Sequence, residues 1–194
     1  MQRLDERKRQ VITATAARMF ATQPFHKVRL DDIAAEAGVG KGTLYIYFES
    51  KEDLYFSLVY QGFAELVDRL KAQHGDEPVR APQALRRVVD ELVAFAFANP
   101  QLFEIMRTVG ASKGRTGGAW KAKRLELHGQ IHAAIVRGVG AGELRDDRPE
   151  LTAACIPGMV RSIMLFGPQD VEERTVSEHI MRILETGIVR GKSR

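Results

Sequence analysis

Apolar residues recur at intervals of three and four along most of the chain, the spacing that lines one face of an α-helix. The strict alternation of a half-buried β-strand does not stand out anywhere. The periodic segments predict nine helices, at about residues 4–22, 30–37, 40–48, 51–71, 82–98, 100–109, 119–139, 149–166 and 171–190. The chain is therefore predicted to be all-α, with Pro157 expected to kink or break the eighth helix.

The second and third predicted helices lie in the stretch VRLDDIAAEAGVGKGTLYIYFES, which runs from Val28 to Ser50. Ile33, Ala34 and Ala37 form one apolar face of the first of them. Gly38 follows directly, at the position where a helix commonly ends in a residue with positive φ. The two helices are therefore predicted to be joined by a tight turn.

The helix after this turn has two different faces. Leu44 and Phe48 are four residues apart and share an apolar face, while Lys41, Thr43 and Tyr47 are expected on the opposite, exposed face. A short helix with an apolar back and a face of cation, hydroxyl and phenol is suited to a polar groove. The pattern predicts a helix-turn-helix whose second helix enters the major groove of DNA.

The string AAEAGVGKGTLYIYFESKEDL closely resembles the helix-turn-helix signature of the TetR family of transcriptional repressors. The residues that carry the resemblance are Ile33, Ala34, Ala37, Gly38, Val39, Lys41, Gly42, Thr43, Leu44, Tyr45, Tyr47, Phe48, Ser50, Lys51 and Leu54. It implies a helix-turn-helix DNA-binding domain over residues 1–50 and an effector-binding and dimerisation domain over 51–194. The expected function is a repressor that binds a palindromic operator as a homodimer and is released by a small-molecule effector.

Individual residues of the helix-turn-helix receive roles in this interpretation. Three cations are expected to contact DNA phosphates: Arg29, Lys41 and Lys51. Thr43 and Tyr47 are expected to contact base edges or thymine methyl groups. Tyr45 is expected to pack its ring inside and place its hydroxyl on a phosphate, and Gly42 to let the backbone approach the groove.

Charge supports the same interpretation. The formal net charge is +4, and residues 1–51 hold nine Lys and Arg against six Asp and Glu, which accounts for +3 of it. A cationic end on a nearly neutral remainder suits the binding of a polyanion such as double-stranded DNA. A solvated charged face is the ordinary alternative for any such count.

The last two helices are apolar on more than one side. Such helices must bury both sides, either within one chain or against a second copy, and periodicity does not distinguish the two. The resemblance implies a four-helix dimer interface, for which the candidates are Cys155, Met159, Ser162, Ile163, Phe166, Ile180, Ile183 and Leu184. It also implies an effector pocket, with candidates Phe63, Phe95, Phe97, Phe103, Met106, Trp120 and Met159.

Other functional classes find little support in the sequence. His128 and His132 share a helix face, but no third ligand can be nominated, so neither a metal site nor a cofactor is expected. No hydrolase or nucleotide-binding motif is present, and an enzyme is not expected. Cys155 is the only cysteine and no apolar run reaches the roughly 18 residues of a membrane span, so a cytoplasmic protein without a membrane partner is expected. Two alternatives remain open: a small-molecule-binding helical protein that does not bind DNA, and a transcriptional activator of the same fold.

Overall fold

The computed structural model describes residues 5–72, 79–108, 117–168 and 170–188, and all its regular structure there is helical. The helices are α1 (Glu6–Thr22), a 3-10 turn (Phe25–Lys27), α2 (Leu30–Glu36), α3 (Lys41–Tyr47), α4 (Lys51–Ala72), α5 (Ala81–Ala98), α6 (Pro100–Thr108), α7 (Gly117–Gly140), α8 (Pro149–Phe166) and α9 (Glu173–Gly187). The prediction of an all-α chain is confirmed.

Helix α8 contains Pro157, where the sequence predicts a kink or a break. The helix continues through this residue from Pro149 to Phe166, so no break occurs. Pro157 removes one backbone hydrogen bond, but Ala153, Ile156 and Val160 bury the helix on both sides of it. Tertiary packing therefore holds α8 as one element where local preference favours an interruption.

The first three helices enclose a hydrophobic cluster of their own. Its buried members are Ile12, Ala16, Met19, Val28, Ile33, Ala34, Leu44, Tyr47, Phe48 and Leu54. Among the described residues, Leu54 is its only buried member from α4, and the partly buried Leu58 packs against it, so the start of the long helix closes this cluster at one end. We call this cluster the head core.

Helices α4 to α9 enclose the second and larger cluster, which we call the body core. Helix α5 lies at its centre, because it packs against α4, α7, α8 and α9. Its residues Leu85, Val88, Val89, Leu92 and Val93 are all buried there.

Helix α4 belongs to both cores. Ser50 caps it, since its Oγ accepts a hydrogen bond from the Asp53 N–H at 3.0 Å, as the Ser-x-x-Asp pattern predicts. Leu54 then packs into the head core, while Tyr55 on the next position begins the body core. We propose the domain division at residue 50, immediately before the helix that the two cores share.

Three aromatic rings join the two cores. Phe20 of α1, Phe25 of the 3-10 turn and Tyr55 of α4 have ring centroids 5.2–5.5 Å apart, with the Phe20 and Phe25 rings stacked and Tyr55 edge-on to both. Burial raises the pKa of Tyr55 to about 12, so its phenol stays neutral. These rings tie the 3-10 turn and α1 to α4.

None of the described helices combines the length and the apolar character that a membrane crossing requires.

Gly138 marks a close contact between α7 and its neighbours. A Cβ added there would clash with the side chain of Ala81 and lie 2.7 Å from Leu144 Cδ1. We expect Gly138→Ala to lower the free energy of unfolding by about 1–3 kcal/mol through overpacking. Urea unfolding followed by circular dichroism at one protein concentration measures this.

Gly129 of the same helix provides the matched control. An added Cβ there meets nothing within 4 Å, so Gly129→Ala gains only helix propensity and should raise stability by up to about 1 kcal/mol. Equal stabilities for the two variants would contradict the close contact at Gly138.

Candidate nucleic-acid interface

The turn between α2 and α3 is fixed by its backbone. Gly38 has φ of 65°, as the sequence predicts for a residue that ends a helix. The Val39 N–H donates to Ala34 O at 3.0 Å and the Gly38 N–H donates to Ala35 O at 3.1 Å, which together make a Schellman motif. This motif satisfies the last carbonyls of α2 and sends the chain directly into α3.

Helix α3 is held by an inward seam of three residues. Leu44, Tyr47 and Phe48 are buried in the head core at i, i+3 and i+4. This seam leaves Tyr45 and Ile46 on the outside, where their exposed fractions are 44% and 47%. Lys41 and Gly42 are also exposed, and Thr43 is half-buried.

The two tyrosines of α3 therefore exchange the positions that the sequence predicted. Tyr47 was expected to be exposed and is only 7% exposed, whereas the Tyr45 ring was expected to be packed and is exposed. The spacing of four between Leu44 and Phe48 predicts the buried face of α3. Tyr47 follows Leu44 by three residues, a spacing that places it on this same buried face. The prediction that Tyr47 lies on the exposed face of α3 was wrong.

Tyr47 instead links α3 to the start of α1. Its hydroxyl accepts a hydrogen bond from the Asp5 N–H at 2.9 Å and donates one to Asp5 O at 3.1 Å. Asp5 is the N-cap of α1, where its carboxylate accepts from the N–H groups of Arg7 and Lys8. We reassign Tyr47 from DNA contact to the anchoring of α1 against α3.

The ammonium group of Lys51 also makes its contacts within the molecule. Its ammonium donates hydrogen bonds to Phe25 O at 2.8 Å and Val28 O at 3.0 Å, and Nζ lies 4.3 Å from the centroid of the Phe25 ring. Two backbone carbonyls and a ring face thus surround the charge. Lys51 thus holds the 3-10 turn against the start of α4, and its contact with a phosphate stays a prediction.

The remaining predicted cations lie on the exposed side of the helix-turn-helix. Lys41 Nζ lies 2.9 Å from Asp31 Oδ2, and this hydrogen-bonded ion pair raises the pKa of Lys41 above its usual value. Arg29 and Tyr45 are near enough to Lys41 to act on its charge. Arg29 precedes α2, is exposed and makes no side-chain cap.

Gly42 lies on the same exposed side. A Cβ added at this position meets nothing within 4 Å, so no contact among the described residues requires glycine there.

Two residues of this surface were missed by the sequence analysis. Ile46 was left unassigned, although the buried seam at positions 44, 47 and 48 implies that position 46 faces outward. The pairing of Asp31 with Lys41 is not evident from the sequence, because it crosses the turn between two helices.

Three of the seven pocket candidates form one aromatic cluster in the body core. The Phe63 ring stacks on Trp120 with centroids 5.0 Å apart, and Phe95 lies 5.5 Å from Phe63. Phe103 is buried in the same core, and Phe97 and Met159 are partly buried against it. The Met106 side chain lies outside the described residues.

Trp120 carries a polar group in this cluster. Its Nε1 is buried and finds no hydrogen-bond acceptor among the described residues.

The dimer candidates divide into buried and exposed residues. Ile180 and Leu184 are fully buried in the body core, so the prediction that they face a partner was wrong. They belong to the inward stripe of α9, which periodicity alone could not assign to the chain's own core. Phe166 is 81% exposed, Ile183 is 46% exposed, and Cys155 and Ser162 are exposed as well.

The remaining two candidates and one missed residue complete this face. Met159 and Ile163 are half-buried, and the exposed Leu151 also lies on α8, although the sequence analysis did not nominate it for the interface. Helices α8 and α9 thus carry large exposed apolar side chains in the described part of the chain.

Comparison with known proteins adds to this geometry. A sequence model of the family described as "Bacterial regulatory proteins, tetR family" matches residues 12–58, from α1 into α4. The Fatty acid metabolism regulator protein of Bacillus subtilis (strain 168) is 36% identical over 62 residues, which are 32% of this chain and 31% of that protein.

Solved structures extend the likeness in fold beyond this region. A transcriptional regulator of the TetR/AcrR family from Thermobifida fusca matches with a TM-score of 0.74 at 23% identity, covering 98% of this chain and 100% of that one. AibR, solved in complex with isovaleryl coenzyme A and operator DNA, matches with a TM-score of 0.62 at 19% identity, covering 92% and 97%. Residues 12–58 therefore match the helix-turn-helix region of the TetR family, and the chain as a whole shares the fold of these solved regulators.

Proposed function

We propose that this protein is a ligand-responsive repressor that binds a palindromic operator as a homodimer and leaves it when a small-molecule effector binds. The observation that carries the proposal is the outward face of α3, which presents Gly42, Thr43, Tyr45 and Ile46 beside the cations Arg29 and Lys41. An α-helix with its side chains is about 10–12 Å across, which suits a major groove about 12 Å wide.

Each exposed residue has a role in this proposal. Arg29 and Lys41 contact phosphates and supply affinity that falls with salt but carries no sequence information. Thr43 and Tyr45 contact base edges and thymine methyl groups, with Ile46 adding apolar contact beside them. Gly42 leaves the backbone of α3 bare where it comes closest to the groove, which explains a glycine that no internal contact requires.

The exposed apolar side chains of α8 and α9 support the homodimer. Phe166 and Ile183 would lose their contact with water if these helices pack against their copies. A two-fold axis there presents two α3 helices to the same side of the DNA. Half-sites one helical turn apart, about 34–36 Å, are expected for such an arrangement.

The body core supports the effector part of the proposal. The aromatic cluster around Phe63 and Trp120 offers apolar surface, and the buried Trp120 N–H offers a hydrogen bond to an acceptor. An acyl thioester of coenzyme A has both an apolar chain and a carbonyl acceptor, and AibR binds such a molecule. The effector acts only through its different affinity for the DNA-bound and released states.

The experiment that tests the proposal is selection of duplexes from random DNA by the full chain, repeated with a series of acyl-CoA thioesters. We expect enrichment of an inverted repeat and loss of binding with one of the thioesters. A chain that enriches no sequence would overturn the DNA-binding proposal. Enrichment that no thioester reverses would overturn this choice of effector.

Gly42 allows a prediction in which stability and binding move in opposite directions. Gly42→Ala should leave stability unchanged or raise it by up to about 1 kcal/mol, because alanine favours helix and the added Cβ meets nothing. Affinity for the selected duplex should fall, because the Cβ enters the space between backbone and groove. Thermal unfolding and fluorescence anisotropy with labelled duplex measure the two effects.

The two tyrosines of α3 give a matched pair of variants. Tyr45→Phe should weaken binding of the selected duplex about fivefold, the worth of one hydrogen bond, with little change in stability. Tyr47→Phe removes the bonds to Asp5 and should lower the free energy of unfolding by about 0.5–1.5 kcal/mol while sequence preference is kept. Interchanged results would show that the faces of α3 are assigned the wrong way round.

The homodimer is tested with two residues of equal exposure. Ile183 on α9 and Val136 on α7 are each 46% exposed. Ile183→Asp should yield folded monomers by light scattering, because it places a charge in the α8–α9 interface, and Val136→Asp should remain dimeric. Dissociation by the Val136 variant alone would move the interface to α7.

A further inference from the structure

Lys41 already forms an ion pair within the chain, with the carboxylate of Asp31. Its Nζ lies 2.9 Å from Asp31 Oδ2, which joins the first residue of α3 to the first turn of α2 across the helix-turn-helix. Both side chains are partly exposed, at 63% for Lys41 and 39% for Asp31. The pair therefore lies on the surface that is assigned to DNA, and the inference rests on that proposed function.

The exposed position of the Lys41–Asp31 ion pair means that it contributes little to the stability of the fold. Ion pairs between exposed side chains contribute little to folding, because water screens both charges and two long side chains lose freedom. The turn between α2 and α3 already has its Schellman motif and the buried seam of α3. The ion pair has a larger effect on the ability of Lys41 to bind a phosphate.

A carboxylate beside Lys41 occupies the position that a phosphate oxygen needs. DNA must draw Lys41 away from Asp31 or share it, and the freed carboxylate then faces the negatively charged backbone. A separated Asp31 also takes up a cation from solution, which cancels part of the counterion release that drives binding.

We propose that Asp31 acts as an internal substitute for phosphate that holds Lys41 in the free protein and thereby limits operator affinity and its salt dependence. Asp31 touches no reacting group in this role and acts through Lys41. A limit on affinity suits a regulator that must release its operator, because the effector then needs a smaller difference in affinity between the two states to shift the balance.

Asp32 provides a control that the chain itself contains. It follows Asp31 in the first turn of α2, is exposed and forms no ion pair with any described residue. Asp32→Asn changes the net charge by the same amount and weakens the same favourable interaction with the helix N-terminus. A difference between Asp31→Asn and Asp32→Asn therefore reports the contact with Lys41.

The test measures dissociation constants of the full-length variants by fluorescence anisotropy between about 50 and 300 mM salt, using the selected duplex. Asp31→Asn should bind about two- to tenfold more tightly than the wild-type chain at low salt. Its plot of log K against log salt should be steeper by up to about one unit, as for one more phosphate contact. Asp32→Asn should show a clearly smaller change in both.

A double-mutant cycle assigns the effect to the pair. In a Lys41→Gln background, Asp31→Asn and Asp32→Asn should have equal, small effects, because the partner of Asp31 is gone. Weaker binding by Asp31→Asn would show that the carboxylate positions Lys41 for phosphate and would overturn the proposal. Equal effects of the two Asn variants in the wild-type background would overturn it as well.

The outcomes also separate this inference from the function on which it depends. If the wild-type chain binds no selected duplex, the proposed function fails. If the wild-type chain binds and Asp31→Asn matches Asp32→Asn, only the role of Asp31 fails. Circular dichroism of each variant verifies that the helices are intact.

Discussion

Burial of Leu44, Tyr47 and Phe48 in the head core is the constraint on which the rest of the structure depends. Helix α3 has only seven residues, too few to be stable in water without tertiary contacts. The inward seam therefore both forms the helix and sets its rotation. With those three side chains inside, Gly42, Tyr45 and Ile46 must face outward, and the Tyr47 hydroxyl meets Asp5 at the start of α1. The face of α3 that is available to DNA consists of the residues that the head core leaves exposed.

Side-chain contacts also fix the connection between the head core and the body core. Lys51 and the rings of Phe20, Phe25 and Tyr55 bind the 3-10 turn and α1 to the first turns of α4. The other end of α4 is tied to α7, where Lys123 bridges Asp68 and Glu126, and Lys71 pairs with Glu126. A helix fastened at both ends transmits displacement along its length. We propose that effector binding in the body core reaches the head by this route.

Charge on the DNA-facing side is organised by contacts as much as by composition. Of the three cations that the sequence nominated for phosphates, Lys51 is taken up by backbone carbonyls and Lys41 by Asp31, while Arg29 stays exposed. The excess of three positive charges in residues 1–51 therefore overstates what a phosphate backbone meets. Electrostatic affinity depends on which charges already have partners.

Apolar periodicity, turn chemistry and the motif string were enough to predict the all-α fold, the order of the helices, the Gly38 turn and the Ser50–Asp53 cap, because each depends on residues within a few positions of one another. The rotation of α3 and the burial of Ile180 and Leu184 in the chain's own core were beyond the sequence. So were the partners of Lys41, Lys51 and Tyr47. Each of these is decided by contact between elements distant along the chain, and periodicity records that a face is apolar without recording what covers it.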